Sequence, residues 1–221
     1  MKALIFDLDG TLVDTVYAHV IAWQQALAEA GMFIEGRRLH RLIGMSGDLF
    51  TRSATLELDR DISLSESKAI QDRHGKLFSK LLPEPRLLPG ARELMRFLRE
   101  KSIPFGIATS GRRPEINPAL DKLGLGPDAV VVERREVAHG KPEPDLFEAC
   151  RQLLDVRAEE SFVVGDAVWD LLAARRAGML GIGMMSGGYG EDELNKAGAF
   201  RVYKDPADLR RSLDELGMLH S

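Results

Sequence analysis

Ala3-Leu4-Ile5-Phe6, running directly into Asp7-Leu8-Asp9-Gly10-Thr11, decides the fold of this chain. Four apolar residues without polar alternation predict a strand covered on both faces, as in a parallel sheet buried between helices. Gly10 lets the chain leave that strand sharply. Open α/β sheets bind ligands beyond the carboxyl ends of their strands, so Asp7 and Asp9 stand where chemistry is expected. Two nearby carboxylates can hold a hard cation, or one can attack an electrophile while the other moves protons. Taken alone, the run is equally well read as a strand-end turn, for which Asp-Gly is a common choice.

Outward from this stretch, apolar runs of the same kind recur at 103–108, 129–132, 161–164 and 180–184, with a weaker one at 200–203. Helical patterns lie between them. Glu93, Leu94, Phe97 and Leu98 fall at helical spacing with Pro89 in the expected first turn, and Asp205-Pro206 places a capping acid before a proline that opens the last helix. Alternating strands and helices predict a parallel sheet with right-handed crossovers. The alternation breaks from Thr15 to about Arg86, where only helical periodicity is present. Val16, Val20, Trp23 and Leu27 share one face, and Phe50, Ala54 and Leu58 another. Ser63-Leu64-Ser65-Glu66 reads as a capping box opening a helix toward Leu82, with Ile70, Leu77 and Leu81 inward, before Pro83-Glu84-Pro85 stiffens the return. The expected architecture is an α/β, Rossmann-like core of residues 1–14 and 87–221 with an all-helical cap, residues 15–86, inserted after the first strand.

Composition narrows the function. A length of 221 residues suits one core with an insertion. Thirty basic against 34 acidic residues, a net charge of −4, argues against nucleic acid or a membrane surface as partner. A single cysteine, Cys150, excludes an internal disulfide and points to a reducing cytoplasm. Asp7 and Asp9 interrupt the opening apolar run, so it does not read as a secretory signal, and no stretch approaches the roughly 20 apolar residues of a membrane span. No coiled-coil pattern is present, and the expected state is a monomer or weak dimer.

The other strand ends supply further chemistry. The run ending at Ala108 leads into Thr109-Ser110-Gly111, whose hydroxyl and N–H groups can bind phosphate oxygens. Lys141 sits in Gly140-Lys141-Pro142-Glu143-Pro144-Asp145, a stiffened loop that can present an ammonium to a developing phosphoryl charge. The run ending at Val164 leads into Gly165-Asp166-Ala167-Val168-Trp169-Asp170, where Asp166 can complete a cation site with Asp7. Gly187-Gly188-Tyr189-Gly190 lacks the lysine and hydroxyl of a Walker-type phosphate loop and reads as a flexible turn before the next helix. Trp23 and Trp169 read as packing residues.

With these four strand ends in order, the chain resembles the haloacid dehalogenase-like hydrolases, in the branch with a helical cap after the first motif. The resemblance spans essentially the whole chain. It implies Asp7 as nucleophile, forming an aspartyl-phosphate, and Asp9 as the acid and base serving the leaving oxygen and the attacking water. It implies Mg²⁺ held by Asp7, the Asp9 carbonyl and Asp166, with Asp170 behind them. Thr109, Ser110, Gly111 and Lys141 would bind the phosphoryl oxygens, assisted by backbone N–H groups near Leu8. The substrate would be a small phosphorylated metabolite of the phosphoglycolate or sugar phosphate class. Relatives that cleave carbon–halogen bonds lack Asp9 and Asp166, and phosphonate-cleaving relatives use a cap lysine that Ile43-Gly44-Met45-Ser46-Gly47-Asp48 does not contain. Asp14-Thr15 with His19 resembles the hinge of β-phosphoglucomutase-like proteins, so a phosphosugar mutase is the alternative. Against it, Gly47 stands where such mutases carry a phosphate-gripping arginine, and Asp170 where they place glycine. Met45, Ser46, Arg52, Arg73, His74 and Lys76 are cap residues that can face the site, their directions not fixed by sequence, and a solvated surface is the alternative reading for most of the charged ones.

Overall fold

The computed structural model describes residues 2–56 and 58–219. Eight strands and ten α-helices alternate along most of it, and six of the strands form one parallel sheet. These are β1 (Ala3–Phe6), β4 (Phe105–Ala108), β5 (Val130–Val132), β6 (Ser161–Gly165), β7 (Leu180–Met184) and β8 (Ala199–Tyr203), in the order β5-β4-β1-β6-β7-β8. β1 is central, with Phe6 opposite Ile107 on one side and Val164 on the other. Alternation of side chains across the pleat divides its residues between two cores. Leu4 and Phe6 join Leu94, Leu98, Leu120 and Leu209 from α5 (Ala91–Glu100), α6 (Asn117–Leu123) and α10 (Pro206–Arg211). Ile5 joins Leu146, Phe147, Cys150 and Ala173 from α7 (Asp145–Leu153) and α8 (Val168–Arg176) on the opposite face. A sheet covered twice is the reason its strands are apolar at every position.

The expected strands are present, with trimmed ends: Ile103 and Pro104 precede β4, and Ala129 belongs to a turn whose N–H bonds the Gly126 carbonyl. Two short strands had no sequence signal. β2 (Val13–Asp14) and β3 (Arg86–Leu87) pair antiparallel, with Val13 opposite Leu87. Between them lie four helices: α1 (Val16–Glu29), α2 (Gly36–His40), α3 (Gly47–Leu56) and α4 (Leu64–Leu81). Val16, Val20, Trp23, Leu27, Phe50, Ala54, Ile70 and Leu77 form their separate apolar cluster. Ser63 and Glu66 form the reciprocal capping box that opens α4.

Three local expectations need correction. Leu58 lies beyond the end of α3 and is exposed, and Leu81, in the last turn of α4, is exposed rather than inward. Pro89 precedes α5, whose cap is Gly90. The 187–190 run is not a loose turn: Met185–Gly187 is a 3-10 turn packed on the site, Tyr189 is buried, and Gly190 caps α9 (Glu191–Lys196). No helix among the described residues is long and apolar enough to cross a membrane.

Candidate active site

The carboxyl ends of β1, β4 and β6, with the loop before α7, bring four buried polar side chains together: Asp7, Thr109, Lys141 and Asp166. Asp170 joins them from the first turn of α8 and is fully buried. Lys141 is the centre of charge. Its ammonium contacts Asp7 Oδ1 and lies 2.8 Å from Asp170 Oδ1, with the Phe147 ring 5.0 Å away. Burial opposes a charge on Lys141, but the two carboxylates outweigh it and raise its proton affinity above the ordinary lysine range.

Carboxylates outnumber the ammonium. Asp7, Asp166 and Asp170 each place an oxygen within 4.8 Å of the others'. Burial, with repulsion from Asp170 and Asp9, pushes the Asp7 carboxyl up to about 7 despite Lys141. Asp166 is pushed well above the carboxylate range by burial and by Asp170 and Asp7, although Thr11 Oγ1 donates to its Oδ1 at 2.9 Å. Three buried acids against one ammonium leave the cluster short of positive charge. An all-oxygen donor set in that condition fits a hard divalent cation. Gly10, at φ +79°, is required at the turn: any side chain there would collide with the Asp166 carboxylate.

Asp9 lies apart from this cluster. Its Oδ1 accepts from Thr15 Oγ1 at 2.7 Å and lies 3.4 Å from His19 Nε2. Burial works against its charge, but these partners prevail and hold its carboxyl below the usual range. The two aspartates of β1's end therefore occupy opposite electrostatic environments two residues apart. On the far side of His19, its Nδ1 meets His74 Nε2 at 3.1 Å, so one proton serves the two facing nitrogens. The rings of Phe50, Trp23 and His74 stack in succession, with centroids 4.1 and 3.9 Å apart, and Phe78 stacks on His19 at 3.9 Å.

Asp7, Asp9 and Asp166 open onto one cavity of about 880 Å³ between the sheet ends and the helices, whereas Thr109, Lys141 and Asp170 are buried behind its lining. Asp7, Asp9, Ser110, Gly111 and Asp166 form its floor, and Thr15, His19, Trp23, Phe50, His74 and Phe78 its wall. Ser110 Oγ is buried without a hydrogen-bond partner, whereas Thr109 Oγ1 accepts from the Gly111 N–H at 2.9 Å. Asp170 is reached through Lys141, and its Oδ2 accepts from the Ala167 N–H at 3.1 Å. Of the residues in the 15–86 segment that can face a substrate, Met45, His74 and Lys76 line the cavity. Ser46 is buried with its N–H on the Lys141 carbonyl at 3.2 Å, and Arg73 pairs with Glu29 at 2.7 Å on the surface. Neither these two nor Arg52 is among the lining residues. Arg112 and Arg135 line the cavity without having been singled out. Arg112 directly follows the Thr109-Ser110-Gly111 turn and was within reach of that reading; Arg135 carries no local signal.

The comparisons with known proteins agree with this arrangement. Residues 1–178 match the family model described as haloacid dehalogenase-like hydrolase. The chain is similar to β-phosphoglucomutase of Bacillus subtilis, 32% identical with 96% of this chain and 93% of that one covered. It is also similar to phosphoglycolate phosphatase of Rhodospirillum rubrum, 31% identical with 94% and 89% covered. Among solved structures, a hydrolase from Pseudomonas syringae superposes with a TM-score of 0.94 at 41% identity, over 98% of this chain and 99% of that one. The chain belongs to the haloacid dehalogenase-like hydrolases and is an enzyme of that family.

Proposed function

We propose that the chain hydrolyses a small phosphomonoester through an aspartyl-phosphate on Asp7, with the helices of residues 15–86 acting as the substrate-selecting cap. The observation that carries this reading is the pair of unlike carboxylates in one cavity: Asp7 held against Lys141, Asp9 held by Thr15 and His19. An Asp7 oxygen attacks phosphorus in line and the bond to the leaving oxygen breaks. Asp9 delivers the proton which that oxygen takes up. The incoming phosphoryl dianion adds negative charge beside Asp9 and so raises its hold on that proton. In the second half, Asp9 takes a proton from water, which attacks phosphorus and returns Asp7 as carboxylate. Ser110 Oγ, buried and unpartnered at the cavity floor, is available to a phosphoryl oxygen, and Thr109 Oγ1, which accepts from the Gly111 N–H, still has its proton to donate. Lys141 favours the ionised form of Asp7 and balances charge at the phosphoryl group.

Mg²⁺ fits the charge-deficient cluster, held by Asp7 and Asp166 with the Asp9 carbonyl, where it would neutralise phosphoryl charge and favour the ionised nucleophile. Asp170 holds Lys141 in place. The cavity of about 880 Å³ with its aromatic wall is roomy for a two-carbon acid and favours the sugar phosphate class. That class also accords with the mutase name of one relative. A mutase must grip a bisphosphate at both ends. Here Gly47 offers no side chain to do so and lies against Gln71, and Asp170 is committed to Lys141. Hydrolysis is therefore favoured.

The test is phosphate release from a panel of sugar phosphates, phosphoglycolate and nucleotides, with and without Mg²⁺. Release from one class is expected, and Asp7→Asn should lower it by about a thousandfold or more. Activity surviving Asp7→Asn removes Asp7 as nucleophile. Isomerisation that depends on a bisphosphate activator, without phosphate release, establishes the mutase instead.

A further inference from the structure

The helices meet the core at a second place, remote in sequence from the reacting carboxylates. His40, the last residue of α2, is 8% exposed and stacked on Tyr17, with ring centroids 5.5 Å apart and planes 13° from parallel. The Tyr189 ring lies at the same centroid distance. The ring's Nε2–H donates to the Gly187 carbonyl at 2.8 Å. Because a carbonyl only accepts, the imidazole must carry its proton on Nε2 there, and the aromatic neighbours hold the donor on that line.

Gly187 closes the Met185–Gly187 turn directly against Asp166, so that a methyl group at this position would overlap the carboxylate. The same turn is fastened at Ser186, whose Oγ donates to the Gly10 carbonyl at 2.6 Å. Gly10 also borders the Asp166 carboxylate. Asp166 is thus confined between two backbone segments, one of which is held by His40. The end of α2 has separate fastenings as well. The Arg41 carbonyl accepts from Trp169 Nε1 at 2.9 Å and from Tyr189 Oη at 3.1 Å, and its guanidinium pairs with Glu193 at 3.0 Å. Losing the His40 bond therefore loosens the turn while the helix stays docked.

We propose that His40 is a positioning residue for Asp166: acting through the Gly187 carbonyl, it presses the Met185–Gly187 turn against the carboxylate and thereby sets the affinity of the acid cluster for its divalent cation. The inference rests on the proposed role of Asp7 and Asp166 as the Mg²⁺-holding acids. Groups that orient metal ligands from behind typically govern affinity by tenfold to a hundredfold.

The experiment is calorimetric titration of Mg²⁺ alone into the intact protein, without substrate. His40→Leu, which keeps bulk and loses the donor, is expected to bind Mg²⁺ about tenfold more weakly. His40→Gln, which keeps a donor, should recover most of the affinity, and the KM for phosphorylated substrate at saturating Mg²⁺ should be unchanged in both. Mg²⁺ affinity within twofold of wild type in His40→Leu overturns the proposal, as does His40→Gln binding no better than His40→Leu. Should His40→Leu fail to fold, His40→Asn, polar but too short to reach the carbonyl, carries the same comparison. Asp166→Asn is the reference. If it binds Mg²⁺ like wild type, the cation reading of the acid cluster fails; if it loses binding while the His40 variants keep it, only the role of His40 fails.

Discussion

Lys141 is the residue on which the site's electrostatics turn, because its ammonium is buried between two carboxylates that repel each other. Replacing it with methionine leaves a side chain that fits beside Phe147 but strands Asp7 and Asp170 together. Breaking a buried ion pair from one side costs about 3–5 kcal/mol, and urea denaturation of Lys141→Met at pH 8 should show a loss of that order. The loss should shrink toward pH 5. Asp7 then binds a proton in the folded state, and a folded-state carboxyl raised above its unfolded value penalises folding progressively as pH rises from the unfolded value through the raised one. A loss equal at both pH values would mean that Lys141 contributes packing rather than charge.

At the scale of elements, α4 carries both a legible and an illegible part. Its start was written in Ser63 and Glu66, where local spacing is enough to specify the cap. The place of His74 in the Phe50–Trp23–His74 stack, and its hydrogen bond to a ring 55 residues earlier, depend on how α4 packs along α1. No local pattern reports that packing. The same holds for the apolar runs: they located the six strands of the sheet because burial on both faces leaves a compositional trace. Two-residue strands such as β2 and β3 have no room for a period and left none. The acidic and hydroxyl residues of the site were readable from strand ends, whereas the link from His40 to Gly187, 147 residues apart, was not. Burial, then the charge of His19, hold His74 well below 6.5, while Asp9 opposes. Its folded-state pKa being depressed, its stabilising contribution is present above about 6.5 and is lost as pH falls below that value. His74→Phe should keep the stack on Trp23 and flatten the decline of stability between pH 7 and pH 5, compared with wild type in parallel denaturation curves. An unchanged decline would place the acid-sensitive group elsewhere.

For the molecule as a whole, a cation held as proposed by the acid cluster would couple its binding to folding, since the oxygens come from the ends of β1 and β6 and from α8 and converge only in the folded chain. Mg²⁺ at a hundredfold its dissociation constant should add about 2.7 kcal/mol. For a chain of this size that raises Tm by roughly 5–10 °C. The shift should disappear on chelation and in Asp166→Asn; an equal shift in Asp166→Asn would assign the binding to other groups. The paired strands β2 and β3 have a different consequence. They carry the chain out to the helices and back again side by side, with Val13 opposite Leu87 and Asp14 opposite Arg86, and paired strands lie only about 4.8 Å apart. The helical segment therefore enters and leaves through one narrow doorway, and its ends ask nothing of the sheet beyond that single strand spacing. A longer or shorter segment could hang from the same two strands without altering the spacing they ask of the sheet. With the helices acting as the proposed cap, selection can rewrite what the enzyme accepts through this doorway, provided that the contacts of Thr15 and His19 to Asp9 and of His40 to the Gly187 turn are kept.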